Sequence, residues 1–241
     1  MADPVVIVGG TGAIGSAVAR RVAAAGGAVH LVGRDAARLA ALAAELGGTH
    51  AVADAMDTDA LGRAVALAGP HVAGLAYCVG SIVLLPLGRA RPEDFLDAFR
   101  LNALGAAVAV AAAGEALRAV PGSGVVLFSS VAARAGFASH AVIATAKAAV
   151  EGLAVSLAAE LAPHTRVNCI APSLTRSGIA SPMTDNATLS RAIAAQHPIP
   201  RLGEPDDAAA MCAFLLSPEA GWITGQVIGV DGGRSTVRTR G

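Results

Sequence analysis

The sequence predicts a single α/β domain in which a doubly wound parallel sheet of about seven strands is flanked by helices. Three observations predict it. Short apolar runs alternate with amphipathic Ala/Leu stretches from end to end, which is the pattern of successive βαβ units. A glycine-rich loop follows the first apolar run and opens a helix. The length of 241 residues suits one domain with a large core, and no linker-like stretch or internal repeat divides residues 1–241.

The first strand is expected over Val5–Val8, a run too short and too β-branched for a helix. A helix follows over Ala13–Ala25, and Gly26-Gly27 ends it, because glycine takes the left-handed C′ conformation without a Cβ penalty. Ala28–Val32 reads as the second strand and Asp35–Leu46 as the second helix, closed by Gly47-Gly48. Thr49–Val52 is the third strand and Asp59–Ala68 the third helix. The stretch from Val65 to Gly88 carries no formal charge, but Gly69, Pro70, Gly74 and Gly80 punctuate it. It therefore reads as a helix end, a buried strand over Val72–Cys78 and a loop, not as a membrane span. A long helix over Pro92–Val120, a strand over Gly124–Phe128 and a helix over Ser139–Leu161 come next. A strand over Arg166–Ile170, a helix over Pro205–Leu216 and a strand over Gln226–Val230 complete the order. The longest irregular stretch, 172–201, holds one short helical patch near Thr188–Ala195 and leaves the carboxyl end of a strand. Ligands of open α/β sheets bind at those ends, so this stretch is a candidate substrate lid, with an oligomer-contact loop as the alternative.

Apolar residues make up 54% of the chain and charged residues only 15%, against about 25% in an average soluble domain. That shortage of charge points to more buried surface than a monomer has, and hence to a homo-oligomer. The net charge is zero with no basic block, which argues against a nucleic-acid partner. Cys78, Cys169 and Cys212 are far apart in apolar segments and match no metal-ligand spacing, so they read as inert buried thiols in a reducing cytoplasm. With the first strand entered by Val5, no signal peptide is expected.

The loop reads Gly9-Gly10-Thr11-Gly12-Ala13-Ile14-Gly15. A phosphate at a helix N-terminus meets free backbone N–H groups and the positive end of the dipole. Glycine permits the close approach and the tight turn. Strand, loop and helix together predict a dinucleotide site built from Gly9, Thr11, Gly12, Ile14 and Gly15.

Further along stand Asn102, Ser129-Ser130-Val131, His140 to Lys147, Arg166-Val167-Asn168 before Ala171-Pro172, Thr224-Gly225-Gln226 and Asp231-Gly232-Gly233. In this order and spacing, over nearly the whole chain, they resemble the short-chain dehydrogenase/reductase family. The resemblance implies a Rossmann-like fold, a nicotinamide dinucleotide, a small-molecule carbonyl or alcohol as substrate, and a homodimer or homotetramer. It implies that Ser130 positions the substrate carbonyl, that Lys147 holds the nicotinamide ribose, and that Asn102 bends the fourth helix and holds a relay water. It places Asp54 on the adenine amino group, Ser177 near the nicotinamide and Gly80 beside the cofactor. Gly33 falls where an NAD-type acid would stand, with Arg34 next to it and Arg38 one turn on, which favours NADP(H). NAD(H) stays open through Asp35, which is either the ribose-binding acid or, the preferred reading, the N-cap of its helix.

The chain departs from the family pattern at several points. Ala13 replaces the middle glycine of the loop, Tyr77-Cys78-Val79-Gly80 replaces Asn-Asn-Ala-Gly, and Ser173 stands where Pro-Gly is usual. Above all, the tyrosine of the Tyr-x-x-x-Lys motif is Ile143. Losing a general acid costs typically about 10²- to 10⁴-fold in rate. The chain's only tyrosine, Tyr77, reads as a packed core residue. The retained Lys147 on an Ala-rich helix face would be costly to bury without a partner, so dinucleotide binding is expected to persist. Three readings follow. His140, one turn before Ile143, or a water replaces the donor, although His140 also reads as a loop or capping residue. Alternatively the protein binds NADP(H) without turnover, or it catalyses a step that needs no donor. Leu84, Leu85, Phe137 and Met183 are the expected apolar lining.

Overall fold

Seven strands form the sheet of the computed structural model, which describes residues 2–238; the expected domain ends at Met1 and 239–241 lie outside them. The strands are β1 (Pro4–Val8), β2 (Ala28–Gly33), β3 (Thr49–Val52), β4 (Gly74–Tyr77), β5 (Ser123–Phe128), β6 (Thr165–Pro172) and β7 (Val227–Val230). All pairs are parallel, in the order β3-β2-β1-β4-β5-β6-β7. The chain starts at β1, winds outward to β3, and crosses back to β4. The crevice above β1 and β4 is thus the topological switch point where open sheets bind ligands.

The helices are α1 (Ala13–Ala24), α2 (Ala36–Leu46), α3 (Thr58–Ala66), α4 (Pro92–Phe99), α5 (Gly105–Arg118), α6 (Ala141–Leu161), α7 (Ser181–Thr184), α8 (Ala187–Ala194) and α9 (Pro205–Leu216). Successive strand residues point to opposite faces. Val6 and Val8 therefore join a core with α3, α5 and α6, while Val5 and Ile7 join one with α1, α2 and α9. Cores on both faces explain why the strands read as continuous apolar runs. The helical stretches Pro92–Arg118 and Ala141–Leu161 are long and apolar enough to cross a membrane, and here their apolar faces pack on the sheet.

Local chemistry settles the ends. Asp35 is the N-cap of α2, its carboxylate accepting from Arg38 N at 3.0 Å, as preferred over the ribose-binding role. Gly26 and Gly47 follow α1 and α2 with φ of 83° and 63°. Two expectations need correction. The helix expected over Pro92–Val120 is broken by a π-helical turn, Arg100–Leu104, because the polar groups around Asn102 and Tyr77 hold its widened backbone open. The stretch 172–201 holds a 3₁₀ turn at Gly178–Ala180 and both α7 and α8, so it is considerably more regular than its Ser, Thr and Pro content implies.

Candidate functional site

The phosphate loop is tied to β2 where it leaves β1 and is closed by a bond within itself. Gly9 N and Gly10 N donate to Val32 O at 2.8 and 3.2 Å, and Gly12 N donates to Gly9 O at 2.9 Å. Gly9 has φ +81°, and a Cβ on Gly15 would lie 2.2 Å from Gly9 O, so these two positions require glycine. No side chain caps α1, and no acid stands in its first turn. Its N–H groups and dipole are left for an anion. Ala13 is simply the first residue of α1 and leaves the loop intact.

Beside the loop, Arg38 Nη2 donates to Thr11 O at 2.7 Å, and a Cβ on Gly33 would have Thr11 Oγ1 3.7 Å away. Arg34 lies 3.7 Å from Asp54, with both side chains exposed. Such a pair contributes little and leaves each partner available to another ligand. Asp54 also accepts from Met56 N at 2.9 Å, which fixes the turn after β3.

The π turn brings the centre of the chain together. Widening the helix frees carbonyls, and side chains meet them. Asn102 Nδ2 donates to Ala98 O at 2.8 Å and lies 3.2 Å from Ser81 Oγ. The Tyr77 hydroxyl donates to Leu101 O at 2.7 Å. Tyr77 is buried, and burial pushes its hydroxyl pKa far up, so it is the core residue expected. Gly105 makes room for it, since a Cβ there would lie 2.2 Å from the hydroxyl oxygen.

Asn102 Oδ1 is buried with no partner among the described residues. It faces Gly80, where an added Cβ would sit 3.1 Å from it and 3.0 Å from Lys147 Nζ. Lys147 is buried and donates to Phe128 O at 2.8 Å. No carboxylate pairs with it among the described residues, and burial lowers its pKa to about 8. The adjacent serines have separate partners. Ser129 Oγ donates to the Glu151 carboxylate at 2.9 Å, which also pairs with Arg134, whereas Ser130 Oγ only accepts from Ala132 N at 3.2 Å.

A cavity of about 260 Å³ opens above β1, β4, β5 and β6. Ile14, Gly80, Ser130, His140, Ile143, Lys147 and Ser177 all line it, so these residues, distant in sequence, share one space. Leu84, Phe137 and Met183 line it as expected; Leu85 does not, and its backbone N–H is held by Ser139 O at 2.9 Å. Cys78 is only partly buried and lines the cavity, unlike Cys169 and Cys212. Burial nevertheless pushes the thiols of Cys78 and Cys169 up to about 12, where thiolate is scarce. His140 precedes α6 but makes no cap bond; its Nδ1 lies 2.7 Å from Ala138 O. Since a carbonyl only accepts, Nδ1 carries the proton and Nε2 is the exchangeable nitrogen.

The comparisons agree with this fold. A family model described as enoyl-(acyl carrier protein) reductase matches residues 9–235. The chain is 36% identical to the short-chain reductase protein NovJ of Streptomyces niveus, over 96% of this chain and 94% of that protein. It belongs to the short-chain dehydrogenase/reductase family. A galactitol 2-dehydrogenase (L-tagatose-forming) of Cereibacter sphaeroides is 33% identical over 94% of this chain and 92% of its own. The solved structure of a short-chain type dehydrogenase/reductase from Mycobacterium ulcerans superposes with a TM-score of 0.90 at 33% identity, covering 98% of this chain and 90% of that one. The chain is accordingly an oxidoreductase of this family, whose members use NAD(P).

One group in the cavity escaped the sequence reading. Arg234 lines it from just beyond β7, together with Ser173, in a network with His197 and Gln196. Asp231-Gly232-Gly233 was read only as a family marker, and nothing in the sequence signals that the next residue returns to the cavity mouth.

Proposed function

We propose that this short-chain dehydrogenase/reductase is an NADP(H)-dependent oxidoreductase of a small carbonyl or alcohol substrate, with proton transfer reassigned from the missing tyrosine to His140. The observation that carries the reading is the opening of Ser130, Lys147, His140 and Ile143 onto one cavity beside the glycine loop. The residues fit a dinucleotide. Gly9, Gly12, Ile14 and Gly15, with Thr11, would hold the pyrophosphate on the uncapped end of α1. Arg34 and Arg38 would meet a 2′-phosphate at Gly33, Asp54 would take the adenine, and Gly80 leaves space that a side chain would fill. Lys147 would meet the ribose, and that contact would supply the partner its buried ammonium lacks.

When bound, the dinucleotide supplies a hydride to the carbonyl carbon, and the carbonyl oxygen takes one proton to give the alcohol. Ser130 donates to that oxygen and orients it. Protonated His140 delivers the proton from Nε2, while its Nδ1–H stays on Ala138 O; in the reverse direction neutral Nε2 is the base. Asn102 Oδ1 and Lys147 would hold a water at Gly80 that refills the proton. The 172–201 segment, which contributes Ser173, Leu174, Thr175, Ser177, Ile179, Met183 and Ile193 to the cavity wall, would cover the substrate as a lid.

A second reading is favoured by Ile143 itself: a protein that binds NADP(H) without turnover. The test is NADPH oxidation over a carbonyl panel by the wild type, Ile143→Tyr, His140→Gln and Lys147→Ala. Wild-type turnover lost in both His140→Gln and Lys147→Ala supports the reductase. Turnover only in Ile143→Tyr supports the binding protein.

A further inference from the structure

Arg234 is a cation with an unassigned task. Its guanidinium lies 4.8 Å above the centre of the Phe137 ring, and Nη2 donates to Gln196 Oε1 at 2.6 Å. Ring and amide hold the group at the cavity wall. Among the described residues it pairs with no carboxylate: the nearby Asp231 is occupied by Gly233 N, Ser235 N and Ser235 Oγ. Among the described residues the cavity lining contains two charged side chains, Lys147 and Arg234, and neither aspartate nor glutamate.

The bonds around it run in one direction. His197 is buried, and its Nδ1 must donate to Ile193 O at 2.9 Å, so in the neutral ring Nε2 accepts from Ser173 Oγ at 2.8 Å. Ser173 thereby gives away its only proton, and its oxygen can only accept from Arg234 Nη1, at 3.5 Å. That contact is long, so Arg234 keeps donor capacity toward the cavity. Ser173 stands at the end of β6 and His197 after α8, so the guanidinium is braced from two elements of the covering segment.

We propose that Arg234 anchors a substrate carboxylate, so that the substrate class is a small oxo acid or its hydroxy acid with an apolar body. A planar guanidinium fork matches a carboxylate. With Lys147 engaged by the ribose, Arg234 is the one cation left to neutralise one carboxylate, whereas a dianionic phosphate would leave excess charge against Leu84, Ile179 and Met183. The geometry bounds the chain length. Phe137 contacts His140 at 5.2 Å between ring centres and Arg234 at 4.8 Å, so the His140 ring centre and the guanidinium carbon lie at most about 10 Å apart. A few carbon atoms bridge that gap between the reacting carbon and the carboxylate. This inference rests on the proposed reductase reading for the position of the reacting carbon, but the anchor itself is testable without turnover.

The experiment is calorimetric binding of levulinate, benzoylpropionate and their methyl esters to the NADP⁺-loaded protein, for the wild type, Arg234→Met and Arg234→Lys. The acids should bind the wild type at least tenfold more tightly than their esters. Arg234→Met should erase that preference, and Arg234→Lys should retain part of it, with NADPH affinity unchanged as the control for folding. Equal wild-type affinity for acid and ester overturns the proposal, as does failure of every acid to bind, tighter binding of the matched phosphonate, or a preference that survives in Arg234→Met. Were Arg234→Met unable to fold, the wild-type comparison and Arg234→Lys would still decide. NADPH oxidation, read on the same three proteins supplied with NADPH in place of NADP⁺ and with the same oxo acids and esters, keeps the two ideas apart. An Arg234-dependent acid preference without oxidation upholds the anchor and removes the reductase, and oxidation without acid preference does the reverse.

Discussion

Arg166 and Lys147 are both buried cations, each 7% exposed and neither facing a carboxylate among the described residues, yet their surroundings differ completely. Arg166, in β6, donates from its two terminal nitrogens to Leu215 O at 2.8 Å, Ser217 O at 3.2 Å and Gly122 O at 3.4 Å, and only its Nε is left without a partner among the described residues. Two of those carbonyls belong to the end of α9, where the dipole is negative. Lys147 has one carbonyl, Phe128 O, and otherwise faces the gap at Gly80 beside the unpartnered Asn102 Oδ1. A buried cation enclosed by carbonyls holds elements together. A buried cation with donors left over beside a cavity is prepared for something that the chain does not itself contain.

The largest expected effect separates the two by function. Lys147→Met should lower NADPH-dependent turnover on the order of 100-fold or more, while the thermal stability of the apoprotein stays equal or rises, because an ill-partnered buried charge is removed. Loss of stability in step with activity would make Lys147 a second structural cation. Arg166→Met should do the opposite. Carbonyls at Gly122, Leu215 and Ser217 lose their donor, so urea denaturation should show a loss of about 3 kcal/mol, with NADPH affinity changed less than about twofold.

The pH dependence sharpens the contrast. Burial holds Lys147 at about 8 in the fold, below the 10.5 of the free side chain. Below pH 8 both folded and unfolded chains are protonated there, and the full cost of burying the charge is present. Above 8 the folded protein releases the proton while the unfolded chain keeps it, so this group's contribution to stability rises through the window up to 10.5. Wild type measured against Lys147→Met should gain about 2 kcal/mol between pH 8 and pH 10 in urea midpoints. A flat difference would mean that the ammonium is well solvated in the fold.

The smallest effect concerns a satisfied neutral group. Tyr77→Phe strands Leu101 O and should cost about 1 kcal/mol, without altering NADPH affinity. In that background Gly105→Ala should cost clearly less than in the wild type, because the hydroxyl that its Cβ would strike is gone. Additive costs in a double-mutant cycle would break this account of the π turn.

Much of this was legible from residue order alone. The strands matched because β-branched runs bounded by glycine have few alternatives, and Asp35 read as a cap because its position before Ala36 is a local fact. The π turn was not legible. It depends on Tyr77 meeting Leu101, and no local pattern in Pro92–Val120 reports a partner contributed by β4. The 172–201 segment misled only in part: the helical patch near Thr188–Ala195 is α8, whereas α7, Ser181–Thr184, is too short for helical periodicity to rise above its Ser, Pro and Thr content.

The sequence by itself determined the α/β class, the strand order along the chain, the uncapped glycine loop and the loss of the tyrosine at Ile143, because periodicity, glycine chemistry and a missing hydroxyl are properties of single positions and their neighbours. Only the tertiary structure decided that Ser130 rather than Ser129 has its hydroxyl uncommitted, that His140 turns Nδ1 onto Ala138, and that Arg234 returns to the cavity beside Phe137. Those are relations between groups far apart in the chain, fixed by which hydrogen-bond acceptors the parallel sheet brings within reach.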